Sequence, residues 1–468
     1  MAGNVDEAIP AFERLLAARP DLPDSWYNLA YLQRCARRFE ESLRSYAEAL
    51  ATGVARPEEI HLNRAVILSD HLERGEEAQR ELETAIRLNP RFAVAWLNLG
   101  NLFEDWGEPL RARGAYEQAL RIEPGNGRAL ARLTAIDIFQ GRASEAPARL
   151  RGALGQPGNS TEDVAELSFA LGNALDAVGR YDEAWASITE ANRAAQSLVP
   201  PELRYDPRAH EALVDALVEL PPKQPVGRGS PPSSRPIFIC GMFRSGSTLA
   251  EQILARHSKV TAGGELEFIP SLVQTRLRPY PQALSDASGQ MLEEFRASYL
   301  EEVGSRHPGA DVVTDKRVDN FLHVALIKAL FPDARIVHTV RSPIDNILSI
   351  YFLFFGSGIN YGWDLRDITH WYKQYRRLMS HWAGIYGDDI HDLSYDSVVS
   401  NPEPSVRELL DFCGLEWEPD CLAERQSAGP VRTASAWQVR QPLHQRSSGR
   451  WRNYDKHLSE VRDMLAAP

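Results

Sequence analysis

The chain is poor in the features that mark secreted or membrane-spanning proteins. Its 468 residues contain four cysteines, Cys35, Cys240, Cys413 and Cys421. Their spacing matches neither a disulfide framework nor a metal site, so they read as reduced, mostly buried thiols. No apolar run reaches the ~18 residues that a membrane helix needs. The start, Met1-Ala2-Gly3-Asn4-Val5-Asp6-Glu7, is acidic and lacks the basic-then-apolar order of a secretory signal. No membrane segment and a cytoplasmic location are therefore expected. Basic charge is also in deficit: 52 Lys and Arg stand against 64 Asp and Glu, a formal net charge of -12. That excludes a nucleic-acid binder relying on bulk charge and leaves room only for a local basic pocket. With 43% hydrophobic and 25% charged residues, wholesale disorder is excluded as well. The length suggests roughly two to four domains.

The first 200 residues repeat. With Ala93 as position 1, Trp96, Leu99, Gly100, Phe103, Ala112, Tyr116, Ala119 and Pro124 fall at positions 4, 7, 8, 11, 20, 24, 27 and 32. A step of 34 residues backward finds Leu62, Ala65, Val66, Ala78, Leu82, Ala85 and Pro90; a step forward finds Leu130, Leu133, Ala146, Leu150 and Ala153. Further copies carry Trp26, Leu29, Ala30, Tyr46 and Ala49, and Leu171, Gly172, Ala184, Ile188 and Ala191. The pattern is physical: two helices that cross closely need small residues at positions 8 and 20, and proline at 32 ends the second helix. The series resembles the tetratricopeptide repeat, a helix pair that stacks into a solenoid. Ala8, Phe12, Leu15 and Pro20 read as a lone second helix whose partner would lie upstream, an end expected to fray.

Residues 201–220 suggest a bridging helix. The stretch Pro221–Ser234, rich in Pro, Gly and Ser, marks a boundary. The expected domains are thus 1–200, a connector at 201–235, and 236–468. In the last of these, Ile237-Phe238-Ile239-Cys240, Asp311–Thr314 and Arg335–Val340 read as strands. Thr248–His257, Phe321–Leu330 and Pro343–Phe355 read as helices, the last with Ser342 as N-cap and Pro343 at N1. The alternation predicts an all-α solenoid followed by an α/β, P-loop-like domain with a central parallel sheet.

Between the first of these strands and its helix lies Gly241-Met242-Phe243-Arg244-Ser245-Gly246-Ser247-Thr248. The glycines and the final threonine fit a phosphate-cradling loop, G-x-x-x-x-G-K-[ST], but Ser247 stands where the lysine belongs. No strand with four apolar residues and a closing Asp offers a magnesium partner. An NTPase would lack two parts of its machinery. Arg244 instead places a guanidinium in the loop, suited to an oxyanion without a metal.

Arg-Ser-Gly-Ser-Thr after such a strand resembles the 5′-phosphosulfate loop of sulfotransferases that use 3′-phosphoadenosine 5′-phosphosulfate (PAPS). Arg341 at a strand end and Ser349 eight residues later resemble that family's 3′-phosphate site. The resemblance spans roughly 236–455. It is nearest to the branch of tyrosylprotein sulfotransferases and bacterial repeat-fused relatives. It implies PAPS as co-substrate, no metal, and a PAPS site formed by Arg244, Ser245, Gly246, Ser247, Thr248, Arg341, Ser349, Tyr395 and Arg450. Gly264-Glu265 resembles the branch's catalytic pair, Lys316 its active-site lysine, and Ser435 within Arg432–Arg440 its closing loop; Arg450 stands where the branch has lysine. The implied catalytic residues are Glu265, Lys316, Arg244 and Ser435. Glu265 is the expected base, with Glu267 and then His257 as runners-up. Trp363, Trp371 and Trp382 read as core.

The expected activity is sulfuryl transfer to an acceptor hydroxyl, with a protein tyrosine as the attractive case because a phenol near pKa ~10 is easier to deprotonate than an alcohol. A protein or peptide acceptor along the repeat groove is the expected partner; recruitment of another enzyme, self-association as a homo-oligomer, and glycan, lipid or small-molecule acceptors stay open. The competing readings are a P-loop nucleotide kinase or NTPase, and a repeat adaptor with an inactive transferase domain.

Overall fold

The computed structural model describes residues 5–222, 235–355, 359–423 and 447–467. The chain divides into two compact units, Met1–Val178 and the part from Gly179 onward.

The first unit is entirely helical among its described residues. A leading helix, Val5–Ala18, precedes the pairs Pro23–Cys35/Phe39–Ala51, Pro57–Asp70/Gly75–Leu88, Ala93–Asp105/Pro109–Ile122 and Gly127–Phe139/Ala146–Leu154, then Thr161–Ala177. The end expected to fray is helical from Val5 and buries Ile9 and Leu16 with Leu29. The small positions do what the repeat requires. In the first pair the Ser42 hydroxyl at position 20 donates to the Ala30 carbonyl at position 8, 2.6 Å away. In the third, a Cβ on Gly100 would lie 2.3 Å from Tyr116 Cε1. Tyr116 is itself fully buried, and its hydroxyl lies within hydrogen-bond distance of Asn101 Oδ1 at 2.9 Å and Glu104 Oε2 at 2.8 Å. Gly100→Val is therefore expected to cost about 1–3 kcal/mol through overpacking. The check is thermal melting of the full chain followed by far-UV circular dichroism; an unshifted first transition would contradict the crossing argument.

The last repeat copy splits by its contacts. Its second helix, Tyr181–Ser197, packs inside the second unit: Asn192 Nδ2 donates to the Tyr351 carbonyl at 2.9 Å, and Trp185 stacks on His457 at 4.5 Å. The bridging helix is Pro207–Val218, N-capped by Asp206, which accepts from the amides of Arg208 and Ala209.

The second unit is built on a five-stranded parallel sheet: β1 Arg235–Gly241, β2 Val260–Ala262, β3 Val312–Lys316, β4 Arg335–Val340 and β5 Ile390–Ser394, in spatial order β2-β3-β1-β4-β5. The continuous apolar run of β1, Ile237–Cys240, follows from burial on both faces. Ile237 and Ile239 join a core with Ile253 and Leu254 of helix Ser247–Leu254 and with Leu409 and Leu410 of helix Pro402–Phe412. On the other face Phe238 meets Tyr299 and Phe331, with ring centroids 6.0 and 5.9 Å away.

Some details differ from the sequence reading, and the helix read as Thr248–His257 spans Ser247–Leu254. The segment at Phe321 is a 3-10 turn, Val318–His323, before the α-helix Val324–Leu330. Ser342 makes no side-chain cap bond to its helix, which ends at Tyr351; its backbone amide instead donates to Asp396 Oδ2 at 3.1 Å.

The order of the strands creates a switch point. From β1 the chain runs toward β2 on one side, and from β4 toward β5 on the other, so a crevice opens at the carboxyl ends of β1 and β4.

Candidate active site

The loop leaving β1 is held by internal contacts rather than by bulk. A Cβ on Gly241 would sit 2.5 Å from the Thr339 carbonyl, which presses the loop base against β4. Arg244 has φ +67° and Gly246 φ +106°, so the backbone turns sharply before the helix. Ser245 is buried, and both its hydroxyl and its amide donate to the Met242 carbonyl, at 2.6 and 3.2 Å. Its hydroxyl also meets Thr339 Oγ1 at 2.7 Å. Ser245 therefore shapes the loop from within. Asn346 Nδ2 clamps the Phe243 carbonyl at 2.8 Å from the helix Pro343–Tyr351. Ser247 and Thr248 open the helix Ser247–Leu254, whose first amides face whatever the loop holds.

Two arginines meet above this loop. Arg341 Nη1 donates to the Arg244 carbonyl at 3.2 Å, and Arg244 Nε donates to Ser349 Oγ at 3.2 Å. Arg341 Nη2 donates to the Ser447 carbonyl, and its guanidinium lies 5.0 Å from the centroid of the Tyr395 ring. Tyr395 follows β5 directly, and its Cδ2 is 3.0 Å from where a Cβ on Gly246 would be. Burial, then the nearby Arg341 charge, push Arg244 down to about 10. Burial lowers Arg341 too. Arg341 Nε is buried without a hydrogen-bond partner among the described residues. Clustered guanidinium groups whose charged forms are disfavoured by desolvation and by each other make a place where an anion is stabilised.

The segment after Ser447 is tied to the same crevice by two carboxylates. Asp345, 2% exposed, accepts from the Gly449 amide at 2.6 Å and the Trp451 amide at 2.9 Å. Asp396 accepts from Ser448 Oγ. Arg450 consequently sits over Phe352, 4.3 Å from its ring centroid, near enough to act electrostatically on Arg244 and Arg341.

On the other side of β1, Lys316 ends β3 and is 2% exposed. Its Nζ donates to Glu265 Oε1 at 2.6 Å, while the Glu265 side chain is 53% exposed. The Lys316 amide donates to the Gly264 carbonyl at 2.8 Å, so the turn after β2 is strapped to the end of β3. A carboxylate half in water and anchored on a buried ammonium can receive a proton from a bound hydroxyl. Glu267 is turned to Arg317, 2.6 Å away. His257 is buried behind the helix: Nε2 lies 3.0 Å from the Glu416 carbonyl and Nδ1 accepts from the Lys259 amide at 3.1 Å. Both nitrogens are used, and His257 does not join the cluster. Ser435 and the rest of Arg432–Arg440 lie outside the described residues.

Comparisons with known proteins bear on the family. Residues 236–419 match the sulfotransferase family, and residues 2–59 and 72–127 match the tetratricopeptide repeat. The chain carries a sulfotransferase-family domain joined to tetratricopeptide repeats. An uncharacterized protein of Aquifex aeolicus is 32% identical over 413 residues, covering 84% of this chain and 53% of that protein. Protein-tyrosine sulfotransferase 2 of Gallus gallus is 27% identical over 210 residues, covering 41% of this chain and 54% of that enzyme. The chain spans about half the length of these curated relatives. Among solved structures, the sulfotransferase domain from the curacin biosynthetic pathway aligns with TM-score 0.35 and 18% identity, over 49% of this chain and 98% of that one.

In the sulfotransferase domain, each strand end supplies part of the cluster: Arg244 follows β1, Glu265 follows β2, Lys316 ends β3, Arg341 follows β4 and Tyr395 follows β5. Asn346, Asp345 and Asp396 escaped the sequence reading. Asp345 and Asn346 sit in the first turns of an ordinary amphipathic helix, and their partners are about a hundred positions away in the chain. Of the three tryptophans read as core, Trp382 is 1% exposed and donates to the Phe321 carbonyl at 2.9 Å, and Trp363 is buried; Trp371 is partly buried and stacks on His210 and Tyr361 at 3.9 and 4.2 Å. Three cysteines are buried and Cys35 is exposed, all four free. No helix among the described residues is long and apolar enough to cross a membrane.

Proposed function

We propose that this chain transfers a sulfuryl group from PAPS to an acceptor hydroxyl, with a protein tyrosine as the acceptor class. One observation carries the reading: Arg341 reaches the Arg244 carbonyl at 3.2 Å while Arg244 reaches Ser349, so the two anion grips required by a nucleotide phosphorylated at both ends share one crevice. The buried Arg341 Nε, without a hydrogen-bond partner among the described residues, fits a group that brings its own acceptor oxygens. PAPS supplies the activated sulfuryl group. Arg341, Ser349 and Tyr395 hold its 3′-phosphate side. Arg244 and the amides and hydroxyls of Ser247 and Thr248 hold its 5′ side, with Gly246 admitting close approach and Ser245 keeping the loop in shape. Arg450 adds positive charge from the 447–457 segment, and Ser435 is assigned to the sulfuryl end by resemblance.

Glu265 takes the acceptor proton, and Lys316 holds Glu265 in place and donates to the oxygen that gains charge as the sulfuryl group leaves. No residue in this scheme needs a metal ion. The acceptor assignment is supported by the names of the relatives and by the half-exposed Glu265, which can meet a side chain of another protein. The domain plan 1–200, 201–235 and 236–468 is proposed from sequence, with the helix Tyr181–Ser197 packing in the second unit, and the repeats are assigned to holding the protein acceptor.

The test is to incubate the full chain with PAPS and a library of tyrosine-containing peptides and read product masses. A gain of one sulfo group on tyrosine is expected. Absence of any transferred sulfo group, from peptides or from a native lysate, would contradict the activity. Transfer confined to glycans, lipids or small molecules would overturn the acceptor class alone.

A further inference from the structure

Behind the Gly263–Glu265 turn stands a carboxylate that the proposed reaction does not use. Glu251, in the second turn of helix Ser247–Leu254, is 5% exposed. Its Oε1 accepts from Thr314 Oγ1 at 2.8 Å and from the Gly264 amide at 3.1 Å. Thr314 Oγ1 in turn accepts from the Gly263 amide at 3.1 Å. Thr314 and Lys316 are two positions apart on β3, so their side chains share a face. One carboxylate oxygen therefore joins three pieces: the helix that opens at the anion loop, the strand that carries Lys316, and the turn that carries Glu265.

The turn would not hold this place unaided. A Cβ on Gly263 would lie 2.2 Å from the Thr314 carbonyl, and Gly264 has φ +67°. Two glycines give close approach and a left-handed turn, but they also leave the unfastened segment more freedom than any other pair of residues. The Glu251–Thr314 link removes that freedom by satisfying both glycine amides. The Lys316 charge acts on Glu251 from one side as Glu265 does on Lys316 from the other. Burial pushes the Glu251 carboxyl above its ordinary range, and Lys316, Thr314 and the Gly264 amide draw it back.

We infer that Glu251 is a positioning residue: through Thr314 and the amides of Gly263 and Gly264 it fixes Glu265 against Lys316, in register with the anion loop on its own helix. This rests on the proposed reaction for its kinetic consequence, though not for its structural one. Glu251→Ala and Thr314→Val both break the link, while Glu251→Gln keeps an accepting oxygen.

The experiment is done on the full chain with three readouts: kinetics with PAPS, binding of adenosine 3′,5′-bisphosphate, and hydrogen exchange of the 263–265 amides. In Glu251→Ala and Thr314→Val, kcat is expected to fall about 100-fold with KM for PAPS nearly unchanged, the size a misplaced catalytic group produces. The double variant should lose no more than the worse single one, since both cut one connection. Glu251→Gln should restore most of kcat. Exchange at 263–265 should rise at least about tenfold in the Ala variant, while nucleotide binding shows that the fold survives. Unchanged kcat and exchange in both variants would overturn the inference, as would Gln behaving like Ala, or a loss that falls on KM instead of kcat. Should the unaltered protein transfer no sulfuryl group, that counts against the proposed function alone, and the exchange and binding data still decide what Glu251 does.

Discussion

Glu265→Gln should lower the single-turnover rate about 10³-fold, equivalent to ~4 kcal/mol of transition-state stabilisation, the scale of a lost general base. Binding of adenosine 3′,5′-bisphosphate should stay near its original strength, because Glu265 lies on the β2–β3 side of the cluster and the two arginines on the β1–β4 side. Glutamine is the informative replacement. Lys316 is 2% exposed and donates to Glu265 Oε1, so alanine would strip a buried ammonium of its hydrogen-bond partner and confuse chemistry with repacking. The amide oxygen of glutamine keeps that bond and removes only the basicity. Lys316→Ala is expected to act in the same direction, lowering turnover with donor affinity largely retained. Rapid-quench measurement with saturating PAPS and a tyrosine peptide separates the two effects. Full turnover in Glu265→Gln would move the base elsewhere, with Glu267 the next candidate despite its ion pair with Arg317.

Arg341→Ala should behave in the opposite way, weakening adenosine 3′,5′-bisphosphate binding about 100-fold, close to 2.7 kcal/mol, with the chemical step less affected once donor is saturating. The magnitude follows from what the side chain does. It is a buried guanidinium whose Nε has no hydrogen-bond partner among the described residues, it lies 5.0 Å from the Tyr395 ring centroid, and burial, with the Arg450 charge beside it, already disfavours its charged form. An incoming dianion relieves that repulsion and completes its hydrogen bonding at the same moment. Alanine would also release the Arg244 and Ser447 carbonyls that Arg341 now ties together. Arg341→Lys is the control for that second effect: it keeps the charge and loses the fork, so an intermediate affinity is expected. Equal affinity in all three proteins, read by calorimetry, would contradict a 3′-phosphate role for Arg341.

Much of this architecture could be read from residue order alone, for identifiable reasons. The repeat markers are dictated by local packing, and Gly100 against Tyr116 shows the constraint directly. Strand β1 is buried on both faces, so Ile237–Cys240 appears as an unbroken apolar run, and β4 is readable from Ile336 and Val337 in a β-rich stretch. What stayed hidden was of two kinds. β2 is three residues long and β5 reads Ile-His-Asp-Leu-Ser, an edge strand with only Leu393 buried; neither carries a periodic signal. The supporting polar residues are the other kind. Asp345, Asn346, Asp396 and Glu251 work by accepting from, or donating to, groups far along the chain, and nothing in their local sequence names the partner. The same holds for Ser342, a credible cap whose amide was claimed by Asp396 instead. His257 shows the converse error to guard against: a histidine base is suggested by the family resemblance, yet both ring nitrogens are spent on the backbone. The helix Tyr181–Ser197 completes a repeat by sequence and packs with the transferase by structure, a double loyalty that only three-dimensional contacts reveal.

Calorimetric titration of the full chain in the presence of a chelator, with adenosine 3′,5′-bisphosphate and with adenosine 5′-monophosphate, weighs the two-anion crevice without relying on any acceptor. The bisphosphate should bind at least about 100-fold more tightly, the worth of the extra phosphate on its own arginine, and should need no divalent cation. Equal affinities for the two nucleotides, or tight binding only of ATP together with magnesium, would contradict it.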